Sequence, residues 1–149
     1  MTPAAEAVQH ELLRQLDALL AALADCDEES ANWTPTPGAN SVYTLAAHTL
    51  LTAERLVLER AGGEVVAGPS RDEVFTERGT VVALHTRGLR VKEALAARLA
   101  RFTEAELQGI CQGPRGPQTR LSALLRATVH AGEHAGQAEL TRDLAKARG

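Results

Sequence analysis

Two histidines four residues apart, His130 and His134, are the first residues in this chain whose type and spacing could do chemistry. On an α-helix an i,i+4 pair shares one face with Cβ atoms about 5–6 Å apart, a separation that lets two imidazoles reach a single metal ion. The positions expected on that face are Ala123, Ala127, Ala131, Ala138 and Thr141, all small, so space remains for an ion, a water and a substrate atom. A third candidate, His48, lies far upstream. In a helix read from near Asn40 or Ser41 to about Arg60, His48 falls about 60° from Leu45 and about 40° from Thr52, toward the apolar side. Three imidazoles with open positions beside them make a catalytic metal site. Three hydrogen-bonded core histidines are the other reading of the same spacing, and residue type alone leaves both open.

The remaining polar residues offer less. His130-Ala-Gly-Glu133-His134 also fits H-x-x-E-H, the inverted zinc-protease pattern in which the glutamate acts as base. That reading needs a larger αβ scaffold and a distant carboxylate ligand, and Glu133 points about 100° from His134, as a solvated or bundle-edge carboxylate would. Gln137 lies about 60° from His134, on the metal side, placed for a neighbouring helix or for the site. His85 sits at the boundary of its helix's apolar stripe, His10 is expected at the surface, and Glu54 falls off the inward stripe of its helix. Cys26 and Cys111 have no metal-like spacing and read as free thiols. No Ser, Cys or Lys has a nucleophile's setting, so any catalysis must run through the metal.

The elements that would hold these residues are helical. Thr2-Pro3 opens a helix carried by Leu12, Leu16, Leu19, Leu20 and Leu23 to about Ala24. The acidic stretch 25–29 and Trp33-Thr-Pro-Thr-Pro-Gly38 break it. The second helix, with Leu45, Thr49, Thr52 and Leu56 inward, stops at Gly62-Gly63. After a loop over 62–70, Ser70-x-x-Glu73 reads as a capping box for a short turn bearing Arg71, Asp72 and Phe75. A third helix follows on Val81, Leu84, Gly88, Val91, Leu95, Leu99 and Phe102. Thr103-x-x-Glu106 caps one more short helix. Residues 112–117 are a turn-rich connection, and Thr119 caps a fourth helix to about Lys146. That helix is apolar around most of its circumference, which predicts burial of both its histidines.

Composition agrees with this reading and closes other routes. Ala and Leu supply 48 of 149 residues, whereas Trp33, Tyr43, Phe75 and Phe102 are the whole aromatic complement, a bias that favours helices and starves strands. The expected fold is all-α, a four-helix bundle, in a single domain over residues 1–149. Net charge is −3 without any run of Lys or Arg, against a dedicated nucleic-acid binder. No apolar stretch approaches a membrane span and no signal-peptide pattern opens the chain, so a cytoplasmic protein is expected.

Asn40-Ser-Val-Tyr-Thr-Leu-Ala-Ala-His48 followed by His130-Ala-Gly-Glu-His134-Ala-Gly-Gln137 resembles the DinB/YfiT-like proteins. Their signature is one histidine in helix two and H-x-x-x-H with a following Gly-Gln in helix four. Helix order and the Arg71-Asp72 segment also fit, so the resemblance covers most of the chain. It implies a divalent metal (zinc, nickel or manganese) held by His48, His130 and His134, and commonly a homodimer. The family includes thiol S-transferases that use bacillithiol or mycothiol and a maleylpyruvate isomerase. The implied function is a metal-dependent hydrolase or a low-molecular-weight-thiol S-transferase acting on a small molecule. A non-catalytic metal-binding or dimerisation module, with the ion tying helices two and four together, is the alternative.

Overall fold

Each long helix starts where a side-chain oxygen can accept an otherwise unpaired backbone N–H. In the computed structural model, which describes residues 1–148, Thr2 caps α1 (Pro3–Ala24), Ser41 caps α3 (Val42–Glu54), Thr80 caps α5 (Val81–Leu99) and Thr119 caps α7 (Arg120–Ala147). Shorter helices carry the reciprocal capping boxes read in the sequence: Ser70 with Glu73 at α4 (Arg71–Thr76), and Thr103 with Glu106 at α6 (Glu104–Gln108). The four long helices form a bundle in which α1 packs against α7 and α5, and α3 against α7 and α5. Its core is aliphatic, built on Leu12, Leu16, Leu19, Leu23, Leu50, Leu95, Leu99 and Leu124. Gly88 brings α5 close to α1: a Cβ there would stand 2.5 Å from the Leu20 side chain. The expected all-α bundle is what forms, and no described helix is long and apolar enough to cross a membrane.

Four local features depart from the sequence reading. The acidic stretch after α1 holds a short helix, α2 (Glu28–Asn32), closed by a capping box between Asp27 and Ser30. Its Glu28 carboxylate accepts the Val81 backbone N–H at 3.0 and 3.2 Å, so a residue 53 positions away finishes the start of α5. The turn-rich connection is a hairpin of β1 (Ile110–Gly113) and β2 (Gly116–Thr119), antiparallel, with Ile110 opposite Thr119 and Gly113 opposite Gly116. Pro114-Arg115 makes its two-residue turn, closed by Gly116 at φ 111°, where a side chain would be strained.

The second helix does not run uniformly to Arg60. After Glu54 it widens into a π-helical segment, Arg55–Ala61. At its end a Cβ on Gly62 would lie 2.4 Å from the Leu58 carbonyl oxygen, so only glycine fits the turn without displacing backbone. Glu54 lies off the inward stripe, as read, but is only half-buried and pairs with Arg87 of α5 at 2.8 Å.

Helix α7 is not buried all round. Ala123, Leu124, Ala127, Ala131, Ala135, Ala138 and Thr141 face the bundle, while Leu125, Val129, Leu140 and Leu144 are exposed. The bundle covers one face of a helix, and the apolar circumference here is wider than that face. Accordingly His130 and His134 are half-buried instead of buried.

Candidate metal centre

Residues 82 positions apart meet because α3 and α7 pack side by side. The Nε2 atom of His130 lies 3.0 Å from Nε2 of His48 and 3.1 Å from Nε2 of His134. The ligand atoms of all three lie within 4.8 Å of one another, the one such group among the described residues. The rings stand edge to face, with centroids 4.3 to 5.0 Å apart. Two imidazole nitrogens on one ion with bonds of 2.0–2.1 Å sit about 3.0–3.4 Å apart, so two of the three pairs already have the spacing an ion requires, while the third is within 4.8 Å.

Protonation supports the same conclusion. His134 Nδ1 is 2.7 Å from Gln137 Oε1, and an amide oxygen can only accept, so this contact suits the tautomer with its proton on Nδ1 and a lone pair at Nε2. That leaves His130 Nε2 facing two nitrogens with at most one hydrogen of its own, whereas a cation satisfies all three lone pairs together. Burial pushes His48 down to about 4 and His130 down to about 3, reinforced by the neighbouring histidines and by Arg71, with Arg126 also acting on His130. Both imidazoles are therefore neutral at pH 7, the form that ligates metal. The residues fit a divalent ion.

The triad is open on one side. His48 and His130 line a cleft of about 740 Å³ bounded by the end of α3, the π segment, α4, the hairpin tip and α7. From α4, the Phe75 ring packs against His48 with centroids 4.8 Å apart, and the Arg71 guanidinium stands over Phe75 at 5.1 Å. Phe75 was legible in the sequence as a residue of the capped turn; its contact with His48 was not, since a packed loop and helix bring it there.

The other residues weighed in the sequence fall as follows. Gln137 acts on the site, through His134. Glu133 is exposed and outside the triad, as expected of a solvated carboxylate, so the protease arrangement is absent among the described residues. His10 is exposed on α1 and His85 half-buried on α5, neither joining the group. Cys26 is buried against the Ala22 carbonyl with its thiol pushed up by burial, and Cys111 is half-buried in the hairpin; both are free. Sequence reading named Arg71 in the capped turn but missed that five arginines meet around the cleft, because they come from four segments and leave no charge run.

Removing the Gln137 amide frees the His134 ring to rotate and to exchange tautomers. Gln137→Ala is expected to weaken metal binding by roughly tenfold, at the low end for loss of a residue that orients a ligand, because Gln137 is exposed. Competition against a chromophoric chelator measures this, and an unchanged affinity would remove Gln137 from the site.

A sequence-family match is in accord with the fold and the triad. The family model described as the DinB superfamily matches residues 11–138. The chain belongs to the DinB superfamily. Among solved structures it is similar to a conserved protein from Enterococcus faecalis, with a TM-score of 0.82 at 18% identity, covering 99% of this chain and 100% of that one. At that identity the likeness shows the fold. No curated protein matches the chain.

Proposed function

We propose that the chain binds one divalent metal ion through His48, His130 and His134 and uses it in an enzyme reaction on a small molecule, either hydrolysis or transfer of a low-molecular-weight thiol. The observation that carries this reading is that two of the three histidines line an open cleft of small-molecule size. A structural ion is normally closed off by protein ligands, whereas a catalytic one keeps a position accessible. When bound, the ion supplies Lewis-acid activation of a water or a thiol near neutral pH.

The chain's own residues do the rest. His48 and His130 stay neutral because burial disfavours their charged forms, so protons do not compete for the lone pairs at pH 7. Gln137 holds His134 in the tautomer that aims Nε2 inward. Phe75 packs against the His48 ring and limits its movement.

The test is a comparison of metal-loaded and chelator-treated protein in small-ester hydrolysis and in conjugation of cysteine-based thiols to an electrophile. Metal-dependent turnover that disappears in His48→Ala supports the enzyme reading. A sharp fall in melting temperature on chelation, with no turnover in either assay, would favour the structural-ion alternative.

The resemblance also implies a homodimer, and α7 supplies a face suited to one. Leu125, Val129 and Leu140 are exposed, and a Cβ on Gly136 would meet open space. Two copies of α7 crossing antiparallel, centred between Gly132 and Glu133, would set Leu125 against Leu140 and Val129 against Gly136, an isologous pairing. Light scattering is expected to give a dimer for the parent and a monomer for Val129→Lys. A parent that is monomeric at all accessible concentrations would reject the pairing.

A further inference from the structure

The cleft beside the triad is lined by Arg55, Arg60, Arg71, Arg115 and Arg126, and its lining contains no aspartate or glutamate. This excess is local, since the chain as a whole carries a net charge of −3. Elsewhere the cations are mostly paired: Arg87 with Glu54, Arg98 with Glu64 and Glu106, Lys146 with Asp25. None of the five cleft arginines pairs with a carboxylate among the described residues.

Backbone geometry brings two of them together. In an α-helix of 3.6 residues per turn, positions 55 and 60 would point about 140° apart. The wider π turn, with i→i+5 hydrogen bonds and about 4.4 residues per turn, brings them to within about 50°. The π segment is thus what turns both guanidinium groups toward one cleft. Two of the five are held in place: Arg55 Nη2 donates to the Pro69 carbonyl at 2.7 Å, and Arg71 lies over Phe75, which itself packs on His48. Guanidinium groups present planar donor pairs that match carboxylate and phosphoryl oxygens, and clustering them without a counter-charge is unfavourable until an anion arrives.

We propose that this cleft is an anion site that takes a small molecule bearing at least two negative charges, as carboxylates or a phosphoryl group, beside the metal centre. As a substrate site it rests on the metal-dependent enzyme reading; as a binding site it stands on the arginines alone. The apolar part of such a ligand would meet Leu51, Leu56 and Pro117, which share the lining. The arginines converge on a concave space within the volume of small-molecule pockets and do not spread across a face, which favours a small ligand over a nucleic acid.

The test is titration calorimetry of metal-free and metal-loaded protein with succinate, malate, phosphate and pyrophosphate, with succinamide as the uncharged control. Arg71→Ala/Arg126→Ala removes two exposed guanidinium groups, and Arg78→Ala/Arg90→Ala removes two exposed ones outside the cleft. At least one dianion is expected to bind the parent, to weaken with added salt, and to lose about tenfold in affinity per cleft arginine removed. The second double variant should keep parent affinity, and both should keep parent metal content. Dianion binding in metal-free protein that is lost in Arg71→Ala/Arg126→Ala upholds the site even if no metal is ever bound, in which case only the metal reading falls. Metal binding with no dianion retained above succinamide, or equal dianion affinity in both double variants, overturns the site and leaves the metal reading untouched. Tighter binding of a single-stranded oligonucleotide than of any dianion would also overturn it.

Discussion

His130→Ala is expected to lose more than about a hundredfold in metal affinity, beyond the upper end seen when only a ligand's supporting residue is removed. His130 is the right target because its Nε2 atom is the shared one, 3.0 Å from His48 and 3.1 Å from His134. Its loss leaves two nitrogens that no longer have a common neighbour between them. The fold should survive, since His130 is half-buried and the α7 core residues Ala127 and Ala131 on either side are untouched. Elemental analysis of untagged protein should find about one equivalent of metal in the parent, the stoichiometry of a single three-histidine site, and background in the variant. His10→Ala, on exposed α1 surface, serves as the control that keeps its metal. A full equivalent retained by His130→Ala, with helical content unchanged, would remove the triad from consideration as ligands.

The second large effect concerns stability. Arg98 is the one arginine in the buried core of the described residues, at 7% exposure. Its guanidinium lies 3.9 Å from the centre of the Phe102 ring, donates to the Gly62 carbonyl at 3.3 Å, and pairs with Glu106 at 3.2 Å and Glu64 at 3.6 Å. One side chain therefore joins the end of α5, the end of the π segment and the start of α6. Both glutamates are partly exposed, so water can solvate them if Arg98 goes, and their loss costs less than a fully buried pair would. Loss of the aliphatic stem's packing, the stacking on Phe102 and the partner of the Gly62 carbonyl remains. Arg98→Ala is expected to destabilise the chain by about 2–3 kcal/mol, or about 5–10 °C in melting temperature. Because Gly62 closes the π segment that carries Arg55 and Arg60, dianion binding should weaken in the same variant while metal content stays at the parent level. A melting temperature within a degree of the parent would show that Arg98 holds nothing that Phe102 and the backbone do not hold already.

These two residues differ in how legible they were. The spacing of His130 and His134 is a property of one helix, and His48 lies on the apolar side of another, so the three histidines could be singled out as candidate ligands before any packing was known. Arg98 gave no such signal: it is a charged residue near a helix end, and only Phe102, Gly62, Glu64 and Glu106 converging on it make it structural.

The same division runs through the whole molecule. Caps at Thr2, Ser70, Thr103 and Thr119 were visible because each rests on a hydrogen bond spanning three residues. The bundle itself was visible because apolar stripes such as Leu12–Leu23 and Val81–Leu99 repeat with the period of a helix that buries one face. Short α2 and the β1–β2 hairpin were missed because each has too few residues to show a period. Tertiary structure alone decided three further things: the π register of Arg55–Ala61, the exposed outer face of α7, and the meeting of five arginines from four segments at one cleft. Sequence periodicity reports which side of a helix is apolar, but neighbouring elements determine how much of that side they cover and which distant charges end up facing one another.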